Sequence, residues 1–280
     1  MVKARTSLAL LGLTAGWSAL LLLAGCGGPG TEGRCTSASP PVELTQPTAW
    51  GRGPTFSQQL QLTKAHPEPV YLTGMAVRVV DARGQSVEAG PALDWWEVAW
   101  ANPERHGEVI GRSAMDSPTL IRMSGETRLV NFPEGHGLPM FSNEPLCFRG
   151  GWSGGTAASG EACKVELDLI YQRARELEQP LTPVRMMAAW AGPPADPKDP
   201  RSWLLGPDEP IRGTYKLADD ASVLAQHWLK GPGVGQVTLD RADGGEVSIV
   251  TFRSTDEPAT RPTALGVNLV LLDTEWPGWK

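Results

Sequence analysis

Cys163-Lys164-Val165-Glu166-Leu167-Asp168-Leu169-Ile170-Tyr171 is the stretch whose reading decides the fold. Val165, Leu167, Leu169 and Tyr171 alternate with Lys164, Glu166 and Asp168. Successive side chains of an extended strand leave on opposite faces, so this period of two turns one face to a core and the other to water. Val70–Val80 predicts a second strand, followed by the turn Asp81-Ala82-Arg83-Gly84 and a return through Gln85–Val87. Val184–Trp190, Val234–Leu239, Val247–Phe252 and Leu265–Leu272 continue the series. Asp243-Gly244 falls between two of these segments and is a hairpin dipeptide, because a type I′ turn needs positive φ at both central positions. Helix is confined to Gln172–Glu178 and Asp220–Trp228, since the 25 prolines break most longer windows. Many short strands separated by turn clusters predict an all-β chain, a two-lobed antiparallel β-sandwich of the jelly-roll kind. The break at Glu178-Gln179-Pro180 divides it into an N-terminal lobe over 56–178 and a C-terminal lobe over 179–280.

The N-terminus has a different character. Lys3 and Arg5 precede an uncharged apolar run that ends in Leu23-Ala24-Gly25-Cys26. A basic tip, an apolar stretch and small residues before the cut make an export signal. A cysteine directly after Leu-Ala-Gly resembles a bacterial lipobox, so 1–25 is expected to be a lipoprotein signal peptide and Cys26 the lipidated first residue of the mature chain. The alternative is a transmembrane span of about 20 residues, against which stand the interruptions Gly12, Thr14, Gly16 and Ser18. Gly27 in place of Asp points, by the sorting pattern of such lipoproteins, to anchoring at the outer membrane. A diacylglyceryl group with a further acyl chain gives the double attachment that stable membrane residence requires. Residues 26–55, rich in Gly, Pro, Ser and Thr, read as a flexible tether.

Without residues 1–25, which take Lys3 and Arg5 with them, the chain has 255 residues and carries 23 Lys and Arg against 31 Asp and Glu, a net charge of −8. That balance argues against nucleic acid as a partner. It leaves the membrane, through the lipid, and a protein or glycan ligand. Export implies an oxidising compartment. Cys147 and Cys163 flank a Gly/Ser-rich loop and are expected to form a disulfide, worth about 3 kcal/mol by the chain-entropy argument; Cys35 is left in the tether.

Candidate chemistry is sparse. Gly151-Trp152-Ser153-Gly154-Gly155 matches G-x-S-x-G, but that motif has meaning only at a strand-to-helix turn, which this pattern does not provide. Gly231-Pro232-Gly233-Val234-Gly235 leads into a strand, where a phosphate loop would open a helix. The histidines are His66, His106, His136 and His227, with no two at metal-ligand spacing. A copper site would have to assemble from distant strands, with methionines such as Met140 as soft ligands. Asp94, Glu97, Glu166 and Asp168 are carboxylates whose spacing singles out no glycosidase pair. Of the 11 tryptophans, the adjacent Trp95 and Trp96 must point to opposite faces if strand-borne, and with Trp228 they are the candidate aromatic binding residues.

Three blocks resemble the secreted stress-up-regulated nodulin family and, more distantly, the copper type II ascorbate-dependent monooxygenases. The first is Tyr71-Leu72-Thr73-Gly74-Met75 through Val79-Val80-Asp81 and Gly84, the second Phe132-Pro133-Glu134-Gly135-His136-Gly137, the third His227-Trp228-Leu229-Lys230-Gly231. The resemblance implies tandem β-sandwiches. It also implies that Trp95-Trp96 stands where the family has a His-His pair, and Leu229 where it has the second histidine of His-x-His. Indole and isobutyl groups in place of imidazoles remove the donor atoms, so no cofactor is expected on this reading. The resulting expectation is a lipid-anchored, non-catalytic binding or envelope-associated module. The alternatives are a copper-dependent monooxygenase with a remodelled site drawing on His136, His227, His106 and Met140, and a carbohydrate-binding surface lipoprotein.

Overall fold

The computed structural model describes residues 32–43, 53–63, 66–87, 93–101, 119–152, 162–190, 203–204, 211–216, 222–230, 234–241, 246–253, 262–263, 265–274 and 276–279. In chain order the strands are β1 (Glu32–Ala38), β2 (Val42–Glu43), β3 (Thr55–Leu60), β4 (Pro69–Val80), β5 (Leu93–Trp100), β6 (Thr119–Ser124), β7 (Leu129–Asn131), β8 (His136–Phe141) and β9 (Leu146–Trp152). They continue as β10 (Ala162–Arg173), β11 (Thr182–Trp190), β12 (Trp203–Leu204), β13 (Ile211–Lys216), β14 (Val223–Lys230), β15 (Val234–Arg241), β16 (Glu246–Arg253), β17 (Pro262–Thr263) and β18 (Leu265–Leu272).

The chain is an all-β sandwich. Its larger sheet runs β1-β10-β4-β8-β11-β18-β14, with β2 also beside β10 and β7 beside β4. A second sheet has the order β3-β9-β5-β6; β13-β16-β15 and β12-β17 form smaller ones. Among the described residues pairing is antiparallel except where Thr182 and Pro183 of β11 lie parallel to His136 and Gly137 of β8.

The two main sheets face each other across one core. Val165, Leu167 and Leu169 of β10 and Val70, Leu72, Met75, Val77 and Val79 of β4 meet Phe56, Trp96, Val98, Phe148 and Trp152 from the opposite sheet. Burial of each such side chain contributes about 1.5–3 kcal/mol. Strict alternation cannot place both Leu72 and Met75 inward. The ladder between β10 and β4 shifts there, pairing Tyr171 with Leu72 and Ile170 with Gly74, so Thr73 is the extra residue of a bulge. At the far end of β4 the predicted turn is present: Gly84 has φ +76°, and Asp81 Oδ1 accepts from the N–H of Arg83 and Gln85, each at 2.8 Å.

Several expectations are corrected. Residues 26–55 are not a tether throughout, because β1 pairs along its whole length with Gln172–Glu166 of β10 and β2 adds Val42 and Glu43. The predicted helix at 220–228 is, from Val223 onward, instead the strand β14, held against β18, and residues 220 and 221 lie outside the described residues. That at 172–178 reduces to a single 3₁₀ turn over Ala174–Glu176. The boundary at 178/179 falls between β10 and β11, yet Val184, Met186 and Val270 beyond it belong to the same core as Val165 and Phe148.

The Cys147–Cys163 disulfide is also corrected: both residues are buried thiols. Cys163 points into the core beside Val165, whereas Cys147 alternates with the core residues Leu146 and Phe148 and leaves the opposite face of the other sheet. The smaller sheet therefore stands between the two sulfurs, and a pair so placed cannot be bridged without moving the backbone.

Candidate functional site

Alternation in β5 sends Trp96, Val98 and Trp100 into the core, which turns Trp95, Glu97 and Ala99 to the outer face of the smaller sheet. The neighbouring strands deliver polar residues to the same face. Register places Glu97 between Arg122 of β6 and Arg149 of β9. Glu97 is 0% exposed and Arg122 4%. Arg149 Nη1 lies 3.5 Å from Glu97 Oε1. A buried carboxylate needs such a cation, since an isolated charge in a low-dielectric setting is strongly disfavoured.

The flanks of this cluster are built to match it. The Arg122 guanidinium sits 3.9 Å from the centroid of the Trp95 ring, a cation–π contact. Trp95 in turn lies against Gly151, its cross-strand partner, where a Cβ would overlap the indole. This is the packing reason for Gly151, as the ring of Phe56 is for Gly150. Cys147 completes the row: Arg149 Nε donates to its sulfur at 3.3 Å, and Ser57 Oγ lies at 3.3 Å. Neither of these partners is a general base, so among the described residues this is a positioned thiol without the base a cysteine nucleophile uses.

Arg122 also ties the smaller sheet to the larger one. Asn268 of β18, 2% exposed, accepts from the Arg122 N–H at 2.9 Å and donates through Nδ2 to the Arg122 carbonyl at 2.8 Å. Its Nδ2 lies 3.0 Å from the His227 carbonyl and 3.3 Å from Met123 Sδ. One amide side chain thus serves the β6 edge as a neighbouring strand would.

His227, on β14 beside this clasp, has a buried Nε2 with no hydrogen-bond partner among the described residues. Burial pushes its pKa below the ordinary value. A base whose folded-state pKa is lowered gives stability that is complete above its unfolded pKa, about 6.5, and that declines as pH falls below it. The midpoint of urea unfolding is therefore expected to be lower at pH 5.5 than at pH 7.5. In His227→Phe that difference should shrink; an unchanged difference would remove His227 as its source.

The copper candidates do not converge. His106 and Cys26 lie outside the described residues. His136 opens β8, with Nδ1 2.8 Å from the Glu134 carbonyl, and Met140 on the same strand is fully buried. Four residues of strand separate the two by about 13 Å. His227 lies on β14, beyond β11 and β18 from β8, about 14 Å away across the sheet alone. Ligands of one metal sit about 2 Å from it. Among the described residues no group of three His, Cys, Asp or Glu side chains could hold a metal ion.

The tryptophans divide as the strand argument requires. Trp96 is a core residue whose Nε1 donates to the Thr127 carbonyl at 2.8 Å. Trp95 is half-buried with one face under Arg122, and Trp228 is half-buried on β14. Sequence reasoning missed the Glu97–Arg149–Arg122 cluster and Asn268. Each had a signal: a carboxylate within Trp95-Trp96-Glu97-Val98-Ala99-Trp100, and a lone amide within Val267-Asn268-Leu269-Val270. No family model matches this chain, and no curated protein matches it.

Proposed function

We propose that the chain is an exported lipoprotein, cleaved before Cys26 and acylated there, whose β-sandwich is a non-catalytic binding module of the bacterial envelope facing a protein or glycan ligand. The observation that carries this reading is Leu23-Ala24-Gly25-Cys26, placed after a basic and apolar leader and shortly before the first strand. The separation of His136, Met140 and His227 favours binding over the copper-monooxygenase alternative, because a remodelled centre would need those donors together. The glycan alternative has less support, since Trp96 is in the core and one face of Trp95 is covered. The likeness to the nodulin family then concerns the scaffold, with Trp95-Trp96 and Leu229 occupying the positions of metal-binding histidines.

Expression with a radiolabelled fatty acid tests the reading. Label is expected on the wild-type protein in the membrane fraction, and Cys26→Ser should lose the label and run as an uncleaved precursor. An unlabelled wild-type chain would overturn the anchoring. Oxygen consumption with ascorbate after copper loading of the wild-type protein would overturn the non-catalytic assignment.

A further inference from the structure

Cys26 is joined to Glu32, the first residue of β1, by six peptide units. Whatever conformation these take, they reach at most about 22 Å. An acylated Cys26 therefore holds the start of β1 close to the membrane, and the question becomes which part of the sandwich lies around that point.

Register answers it. Glu32, Gln172, Tyr71 and Pro139 lie opposite one another in a single row across β1, β10, β4 and β8. Two strand spacings, about 10 Å, separate Glu32 from Tyr71. Packed on Tyr71 is the segment Trp276-Pro277-Gly278-Trp279. Its Trp279 ring meets Tyr71 edge-on at 5.6 Å and Phe141 at 5.4 Å, and Trp276 meets Trp279 at 5.3 Å. Gly278, in the link between the two indoles, has φ +80°, a backbone region that glycine enters without steric cost. Both tryptophans are half-buried and present part of their rings to the outside. Just beyond the end of β10, Arg175 has a side chain 69% exposed beside Glu68, and Arg173 bonds Glu68 and Glu176.

We infer that this end of the sandwich rests on the bilayer that carries the Cys26 lipid, with Trp276 and Trp279 in the headgroup interface; the inference depends on the acylation proposed above. Indoles favour that zone because an apolar ring and a polar N–H are both satisfied there. Among the described residues the charges around it are paired guanidinium and carboxylate groups, and the mature chain is acidic, so the matching surface is zwitterionic phospholipid.

The full lipidated protein, reconstituted in vesicles of phosphatidylcholine brominated high on the acyl chains, gives the test. Bromolipid is expected to quench tryptophan emission of the wild type. The double variant Trp276→Phe, Trp279→Phe keeps the aromatic packing and should lose most of that quenching, with the β circular-dichroism spectrum retained. Equal quenching of the two proteins, or none in the wild type, with acylated Cys26 verified by mass spectrometry, overturns the inference. Quenching by a soluble glycan in place of the bromolipid overturns it in favour of a sugar ligand. Absence of lipid on Cys26 is the separate result that removes the anchoring itself.

Discussion

Asn268→Asp is expected to destabilise the sandwich by about 3–5 kcal/mol, the range seen when one member of a buried polar network is made incompatible with the rest. The Asn268 amide donates to the carbonyls of Arg122 and His227 while its oxygen accepts from the Arg122 N–H. A carboxylate in its place keeps the acceptor but sets an anion against two carbonyl oxygens in a position that is 2% exposed. Protonation of the new group would relieve the charge yet restore only one donor. Asn268→Leu removes the conflict but leaves the Arg122 N–H and C=O without this partner, at about 1–3 kcal/mol for each buried group. For a chain of this size each kcal/mol moves the melting temperature by about 2–4 °C. Thermal unfolding should thus rank the wild type above both variants. A change below about 1 kcal/mol in either, within the range of an ordinary surface substitution, would mean that Asn268 does not clasp the two sheets.

Why the sequence showed one sheet and not its edge follows from particular residues. β10 is legible because its alternation is uninterrupted from Cys163 to Tyr171 and needs no knowledge of its partners. β1 is not. Its Glu-Gly-Arg-Cys-Thr-Ser-Ala composition resembles a solvated linker, but small residues are a packing requirement there: a Cβ on Gly33 would run into the ring of Tyr171. The partner of β1 lies more than a hundred residues away, so no local window contains the reason for its structure. The segment at 220–228 invites a helical reading because propensity is a weak prior; from Val223 onward, pairing with the apolar strand β18 decides it. The candidate site is invisible for the same cause. Glu97, Arg122 and Arg149 become neighbours only when β6, β5 and β9 are laid side by side, and the disulfide expectation failed because loop length carries no information about which face a cysteine leaves.

Glu97→Ala should be nearly as damaging, at about 3–5 kcal/mol, because it strips the buried carboxylate from beside the Arg149 guanidinium, in a row where its register partner Arg122 is a second buried cation. Arg149, whose side chain is 34% exposed, can turn outward and recover water. Arg122, at 4%, has no such freedom, and it stays packed over the face of Trp95. Glu97→Gln retains an acceptor of the same shape and loses only the charge, so it should fall between the alanine variant and the wild type. The decisive comparison is Glu97→Leu combined with Arg122→Leu. If the cluster acts through its charges, removing a buried anion together with the buried cation in register with it is expected to restore much of the stability lost with Glu97 alone, as replacing paired buried charges by apolar residues often does. Additive losses in the double variant, measured by urea unfolding, would show that the two side chains are independent.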